Sequence, residues 1–317
     1  MNNTCDIAVI GGGAAGFFAA IHASDSGRLR VIAVEKTSKT LTKVGVSGGG
    51  RCNVTHDCLS PARLVKHYPR GGKSLKKAFE LFGPTDTHQW FERRGVALKT
   101  EPDGRVFPVT DNSQTIIDCL TAEAAKCGVE IRLRAEVMAV NPTEEGGFRL
   151  EMKAGPPLIC RKVIVTAGGF AKPEGYDFVR CTGVRIVPPI PSLFTFNVPD
   201  SDLKDLSGLS VPQGVVQIPG MKWKEDGPVL ITHRGFSAPA VIKLSSWAAV
   251  DLHAVNHCFP ILINWTGLGE EAVRNVFGDM RKLHPKKSTA SNPLFNISSR
   301  LWERLCGKAG IGPEVKY

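Results

Sequence analysis

The run "CDIAVIGGGAAGFFAAIHA" at residues 5–23 constrains this chain more than any other stretch. Residues 6–10 read as a short apolar strand, and residues 15–23 as a helix of small and apolar side chains. Between them Gly11, Gly13 and Gly16 take the G-x-G-x-x-G spacing. In that spacing the first glycine makes a tight turn, the second lets the backbone approach a pyrophosphate, and the third lets the helix close on the strand. The helix start, at Ala14 and Ala15, offers free N–H groups and a positive dipole end to the same anion. A second strand over residues 30–34 ends in Glu35, nineteen residues after Gly16. A carboxylate there accepts hydrogen bonds from a ribose diol, although alone it would be a surface acid at a strand end. Strand, turn, helix, strand and acid together predict a dinucleotide-binding unit.

Ten residues past Glu35 comes "GVSGGGRCNVT", residues 45–55. A nicotinamide enzyme would usually run on into its next strand and helix here. Glycines let a backbone lie against a flat ligand, because no Cβ intervenes. That assigns Ser47, Gly48, Gly49 and Gly50 to a ligand face. Arg51 is placed to meet a phosphate or the negative charge of a reduced flavin. Asn53 is equipped to donate and to accept at a ring's polar edge. Cys52 reads as a small buried packing residue, with a reactive thiol as the alternative.

Composition sets the outer bounds. At 317 residues and 42% hydrophobic, the chain is long enough for two domains. No apolar run reaches the roughly 18 residues that span a bilayer. The N-terminus reads as the start of a fold rather than a signal peptide, and nine scattered cysteines without a C-x-x-C pair suit reduced thiols in a cytosol. No cluster has metal-ligand spacing, so no metal is expected. The net charge of +10 reads first as a solvated surface, with some excess at Arg281, Lys282, Lys286 and Lys287. Without a nucleic-acid motif, a nucleic-acid partner is not the expectation.

The segments "VIGGGAAG", "VEK" and "SGGGRCNVT" together resemble a flavoprotein family that includes bile-acid 3-oxo reductases and aminoacetone-oxidase-like enzymes. The resemblance implies bound FAD in an α/β, three-layer fold of the two-dinucleotide-binding type, with an inserted, mainly β domain. It places Lys36 with Glu35 at the nucleotide, the Ser47 to Asn53 loop near the flavin, and the backbone near Val137 against the adenine. It also sets "TAGG", with Ala167, Gly168 and Gly169, beside the cofactor. A strand-end turn would read the same from the residues alone.

The remaining pattern predicts helices over residues 74–82, 85–94 and 113–126, the last capped by Asn112 or Ser113. Strands are expected either side of a turn at Asp103 and Gly104, in one strand through "VEIRLRAEVMAVN", and in a hairpin returning over residues 163–166. The proline-rich "VPPIPSLFTFNV" marks a boundary, giving an FAD-binding domain over residues 1–188 and a substrate or cap domain over 189–317. In the second domain "HRGFSAP" turns into a helix near Pro239, an alternating strand "AVIKLSSWAA" follows, and two amphipathic helices close the chain. The resembled family carries a similar "THxGxSGP", which makes His233 and Ser237 substrate-side candidates. A turn histidine bonded to backbone explains His233 equally well, and Ala238 stands where glycine is usual.

The expected function is a cytoplasmic FAD-dependent oxidoreductase acting on a small molecule, with NADH or NADPH as a candidate donor. Arg51, Cys52 and His233 are its only catalytic candidates, and its oligomeric state is open. Members of the resembled family run on past the point where this chain ends, so a C-terminal segment that closes on the flavin is expected to be missing. A nucleotide-binding fragment without catalysis and a nucleic-acid-associated flavoprotein are the alternatives.

Overall fold

A computed structural model describes residues 3–24 and 28–317. The chain divides into two compact units, Met1–Pro189 and Ile190–Tyr317. The expected N-terminal reading begins two residues before the described part.

The first unit opens with β1 (Thr4–Ile10), α1 (Ala14–Ser24) and β2 (Val31–Val34). Then come α2 (Thr42–Val46), the glycine loop, and β3 (Thr55–His56). Helices α3 (Pro61–Leu64), α4 (Gly72–Leu81) and α5 (Pro84–Glu92) lead to strands β4 (Leu98–Thr100) and β5 (Arg105–Pro108). Helix α6 (Ser113–Lys126) precedes β6 (Glu130–Arg132), β7 (Val137–Pro142), β8 (Phe148–Met152) and β9 (Leu158–Val165). The Asn112 side chain caps α6 by accepting from the Gln114 N–H at 2.9 Å.

The main sheet has the order β6-β2-β1-β9-β8-β7, with the first four strands parallel and the last pairings antiparallel. Alternation along β1 and β2 explains its burial on both faces. Ala8, Ile10, Ile32 and Val34 pack with Val140, Leu150 and Leu158 on one side. Val9, Val31 and Ala33 pack with Ala20 of α1 on the other. The result is Rossmann-like, with helices on one face of a parallel sheet and an antiparallel meander on the other.

The segment expected as one strand, "VEIRLRAEVMAVN", is two. Arg134 takes a left-handed φ of 53° and breaks it. Strands β6 and β7 then lie at opposite ends of the strand order, although only residues 133–136 join them. The five Cα steps from Arg132 to Val137 reach about 18 Å, while five strand spacings need about 24 Å, so the sheet must curl back on itself. A separate three-stranded sheet, β3-β5-β4, follows the glycine loop.

The second unit holds β10 (Phe196–Asn197), β11 (Ser210–Gln217), β12 (Lys224–Thr232), β13 (Gly235–Ser237), α7 (Pro239–Ala254) and β14 (Leu262–Asn264). Helices α8 (Glu270–Leu283) and α9 (Ser299–Lys308) end it. Its sheet is antiparallel, in the order β10-β13-β12-β11-β14. The expected strand "AVIKLSSWAA" is instead the body of α7. Ala240, Val241, Leu244, Ser245, Ala248, Ala249 and Leu252 are the buried set. Steps of one, three and four residues give a helical period of 3.6, which the short alternating window concealed. Pro239 sits in the first turn, where its missing N–H costs nothing.

Candidate nucleotide site

The glycine turn links three elements at the C-terminal edge of the parallel strands. Gly11 has φ +114°, and a Cβ there would fall 2.5 Å from the Thr166 carbonyl oxygen. Thr166 secures the same corner: its N–H donates to the Ile10 oxygen at 2.8 Å, and its hydroxyl donates to that oxygen at 2.9 Å. At Gly16 a Cβ would lie 1.8 Å from the Gly11 oxygen, so only glycine lets α1 sit this close. Gly13 differs, because a Cβ there would meet no protein atom within 4 Å. Its carbonyl accepts the first helical bond, from the Phe17 N–H at 3.0 Å. It therefore stands at the mouth of α1, where the first-turn N–H groups have no helical acceptor. Ala14 and Ala15 are exposed beside it.

Glu35 turns its carboxylate onto this corner. Oε2 accepts from the Gly12 N–H and Oε1 from the Thr37 N–H, both at 2.8 Å. Burial alone would raise its pKa, but these N–H groups and the neighbouring Lys36 charge outweigh burial and hold the carboxyl below the ordinary range. Each oxygen keeps a lone pair for a hydroxyl donor. The segment after β6 runs alongside: the Arg134 N–H donates to the Thr37 oxygen and the Ala135 N–H to the Glu35 oxygen. Val137 begins β7 two residues further on.

The loop Ser47 to Asn53 owes its shape to its glycines. Gly48, Gly49 and Gly50 have φ of 57°, 71° and 87°, and neither of the last two has a neighbour within 4 Å of a Cβ position. Three side-chain-bearing residues could not follow that path without strain. Cys52 also has a positive φ, 63°. Its thiol is buried among Phe17, Leu41 and Val44, and burial pushes its pKa up. Ser47 turns its hydroxyl to the Val44 carbonyl at 3.0 Å. Asn53, with its amide oriented by its acceptors, donates to the Thr55 and Val106 carbonyls at 2.9 and 3.2 Å. Its NH2 group thus locks the loop to β5, and its oxygen is left for other donors.

Arg51 is held by partners the sequence did not reveal. Its Nη1 donates to Glu101 Oε1 at 2.5 Å and lies 3.4 Å from Asp111 Oδ1. The guanidinium also covers the Phe107 ring at 4.0 Å. Ala167, Gly168 and Gly169 continue from β9, with both glycines exposed. The Lys43 Nζ lies 3.7 Å from the Gly168 Cβ position, and the Lys36 Nζ stands over the Phe170 ring at 5.1 Å. The turn, Glu35, Lys36, Thr166 and the "TAGG" segment are thus brought to one corner. Thr166 and Lys43 were missed. The first hid in a motif read for its glycines, and the second carries no local signal.

A dinucleotide fits these residues. The open space at Gly13, the donors at the mouth of α1 and the anchored carboxylate match a pyrophosphate and a ribose. The unfilled faces at Gly49, Gly50 and Gly169 leave room for a flat ring. His233 and Ser237 belong to the second unit, where His233 is exposed in the turn between β12 and β13 and Ser237 is half-buried at the end of β13. That unit also carries a concavity of about 430 Å³ lined by Phe194, Phe196, Asn197, His257 and Phe259 among others. Among the described residues no group of three or more His, Cys, Asp or Glu could hold a metal. Nor is any helix among them long and apolar enough to cross a membrane.

The chain is 31% identical over 310 residues to the ribosomal RNA dihydrouridine synthase of Escherichia coli K12, a match covering 95% of this chain and 73% of that protein. The protein of the same name from Haemophilus influenzae is 30% identical over 250 residues, 75% of this chain and 60% of that one. A 3-dehydro-bile acid delta(4,6)-reductase of Clostridium scindens is 26% identical over 256 residues, 78% of this chain and 61% of that protein. The chain thus spans 60 to 73% of the length of these relatives. A family model described as HI0933-like protein Rossmann domain matches residues 5–287, and with that match the chain belongs to the HI0933-like family.

Proposed function

We propose that this chain is the FAD-binding part of a reductase that saturates the C5=C6 bond of uracil in ribosomal RNA. The observation that carries the proposal is the 31% identity over 95% of the chain to a ribosomal RNA dihydrouridine synthase. The sequence reading put a small molecule ahead of nucleic acid, and the proposal reverses that order. The bile-acid relative fits the same chemistry. Its name describes removal of carbon–carbon double bonds in a molecule with an oxidised 3-position, and the uracil C5=C6 bond is likewise conjugated to a carbonyl. Both substrates take a hydride at the carbon remote from the carbonyl and a proton at the nearer one.

When bound and reduced, FAD supplies that hydride; NADH or NADPH restores it, so one nicotinamide is oxidised and one proton taken up for each dihydrouridine made. The protein's own part is positional. The mouth of α1 at Gly13, with Ala14 and Ala15, binds the pyrophosphate, and Glu35 accepts from the ribose hydroxyls. Lys36 and Lys43 set positive charge beside the "TAGG" segment. The backbone near Val137 would border the adenine. Gly48, Gly49 and Gly50 would lie against the ring, and the Asn53 amide holds their loop in place. Arg51 puts a cation next to that loop, oriented by Glu101 and Asp111.

The test is to load the chain with FAD, add NADPH or NADH and unmodified ribosomal RNA transcript, and digest the RNA to nucleosides for mass spectrometry. Uridine should gain the mass of two hydrogens only when flavin and reductant are both present. A flavin that reduces a steroid dienone but leaves the RNA unchanged would reject the proposal in favour of a small-molecule reductase.

A further inference from the structure

Half of the net charge of this protein sits in one short stretch. Residues 61–82 contain Arg63, Lys66, Arg70, Lys73, Lys76 and Lys77 against a single acid, Glu80, a net +5. The other 295 residues share the remaining +5. The stretch forms α3, a short 3-10 turn and α4. Helix α4 has no buried residue, and its one acid lies 3.6 Å from Lys76. Like charges this dense repel one another and weaken the local fold, unless a polyanion covers them.

The stretch also carries partly exposed aromatic and apolar side chains. Tyr68 is 40% exposed and rests on Phe79, with ring centroids 5.5 Å apart. Leu81 is 80% exposed, whereas Phe82 packs its ring against Phe18 of α1, with centroids 5.1 Å apart. A run of cations that can follow a phosphate backbone, with a half-exposed ring such as Tyr68 beside it for a base to stack on, suits a single-strand binding surface. The face is also tied to the glycine loop. The His67 ring lies 6.2 Å from the His56 ring, nearly parallel to it, and His56 follows Asn53 by three positions. A strand of RNA running past His67 would come beside β3, which follows the loop assigned to the flavin.

We infer that the α3–α4 face, residues 61–82, is the docking surface for the sugar–phosphate backbone of a single-stranded RNA segment. This inference rests on the reading of the chain as an RNA-directed reductase. It deepens that reading by naming where the RNA lies.

The probe is a 5′-fluorescein oligouridine of about 20 nucleotides, longer than a typical single-strand site of about 4–16. Its anisotropy is followed across a sodium chloride series with the full chain loaded with FAD. The variant replaces the exposed Lys73, Lys76 and Lys77 by alanine, a strong helix former. Each phosphate contact on a single strand contributes a slope of about −0.7 in log K against log salt, or about fivefold at 0.1 M. Loss of three should therefore weaken binding about 100-fold and flatten the slope by about 2. The corresponding triple Lys→Arg variant should bind like wild type, and both variants should retain FAD. Unchanged affinity and slope in the alanine variant would overturn the surface, even if wild type makes dihydrouridine. No dihydrouridine from wild type would instead sink the reductase reading, which the anisotropy does not test. Loss of binding to phosphatidylserine vesicles with RNA binding intact would overturn the inference in favour of a membrane surface.

Discussion

The two glycines at either side of the α1 mouth make opposite demands, and substituting each separates cofactor binding from folding. At Gly13 a Cβ would point into open space, so Gly13→Val adds bulk where no protein atom stands. The folded apoprotein should tolerate it at a cost of about 1 kcal/mol, the difference between glycine and a poor residue at a helix cap. FAD should not tolerate it. Two first-turn N–H bonds to a pyrophosphate are charge-assisted and contribute about 1.5–3 kcal/mol each. Pushing the phosphates out of reach should lower FAD affinity by about 10²–10⁴-fold. At Gly16 the same Cβ would lie 1.8 Å from the Gly11 carbonyl oxygen, a backbone atom with nowhere to go. Gly16→Ala must drive α1 off β1, and overpacking of that kind costs about 1–3 kcal/mol without FAD present. The assay is flavin fluorescence quenching on titration of apoprotein, beside thermal melts without flavin. If Gly13→Val bound FAD within about threefold of wild type while folded, the pyrophosphate assignment at α1 would be refuted.

Three further substitutions test other parts of the molecule. Ala238 has φ 82° and ψ 173°, a region that is essentially glycine's own and costs about 1–3 kcal/mol for other residues. Less about 0.4–1 kcal/mol for the freer unfolded chain, Ala238→Gly should stabilise the protein by about 1 kcal/mol; calorimetry showing a lower melting temperature would contradict this. The Glu35 carboxyl titrates below its ordinary value of 4.5, so the stability it lends is present above the unfolded pKa and is lost as pH falls through the folded one. The margin of wild type over Glu35→Gln in thermal melts should thus be full at neutral pH and close as the solution is acidified below that value; a margin independent of pH would show that the ionised form is not the one held. Removing the cation in Arg51→Ala leaves Glu101 and Asp111 beside the glycine loop, which disfavours a negatively charged reduced flavin. Its midpoint potential should move negative in spectroelectrochemistry, and an unmoved potential would place the loop away from the ring.

What was legible in the sequence follows the range of the forces involved. The strand, turn and helix from β1 to α1 were readable because their requirements are local: a tight turn and a close approach each demand glycine at a set spacing. Glu35 was readable because the length of one βαβ step delivers the end of β2 back to the same corner. Arg51 was named, but its setting was not. Glu101 and Asp111 lie 50 and 60 residues away, and the pairing of β3 with β5 brings them to the glycine loop. Lys43 was invisible for the same reason. The misreading of α7 arose differently, since ten residues of mixed small, apolar and polar side chains satisfy a period of two about as well as 3.6. Its full sixteen residues settle the matter, because only the helical period puts Val241, Ser245 and Ala249 on the same buried stripe as Ala240, Leu244, Ala248 and Leu252, where a period of two would send them to the opposite face. Ala238 lies between these cases. Its departure from the glycine of similar segments was visible in the residues, but its meaning required the backbone angles. They show a conformation kept by the turn from β13 into α7 although the residue suited to it has gone, so the surrounding sheet and helix, rather than residue 238, determine the path of the chain there.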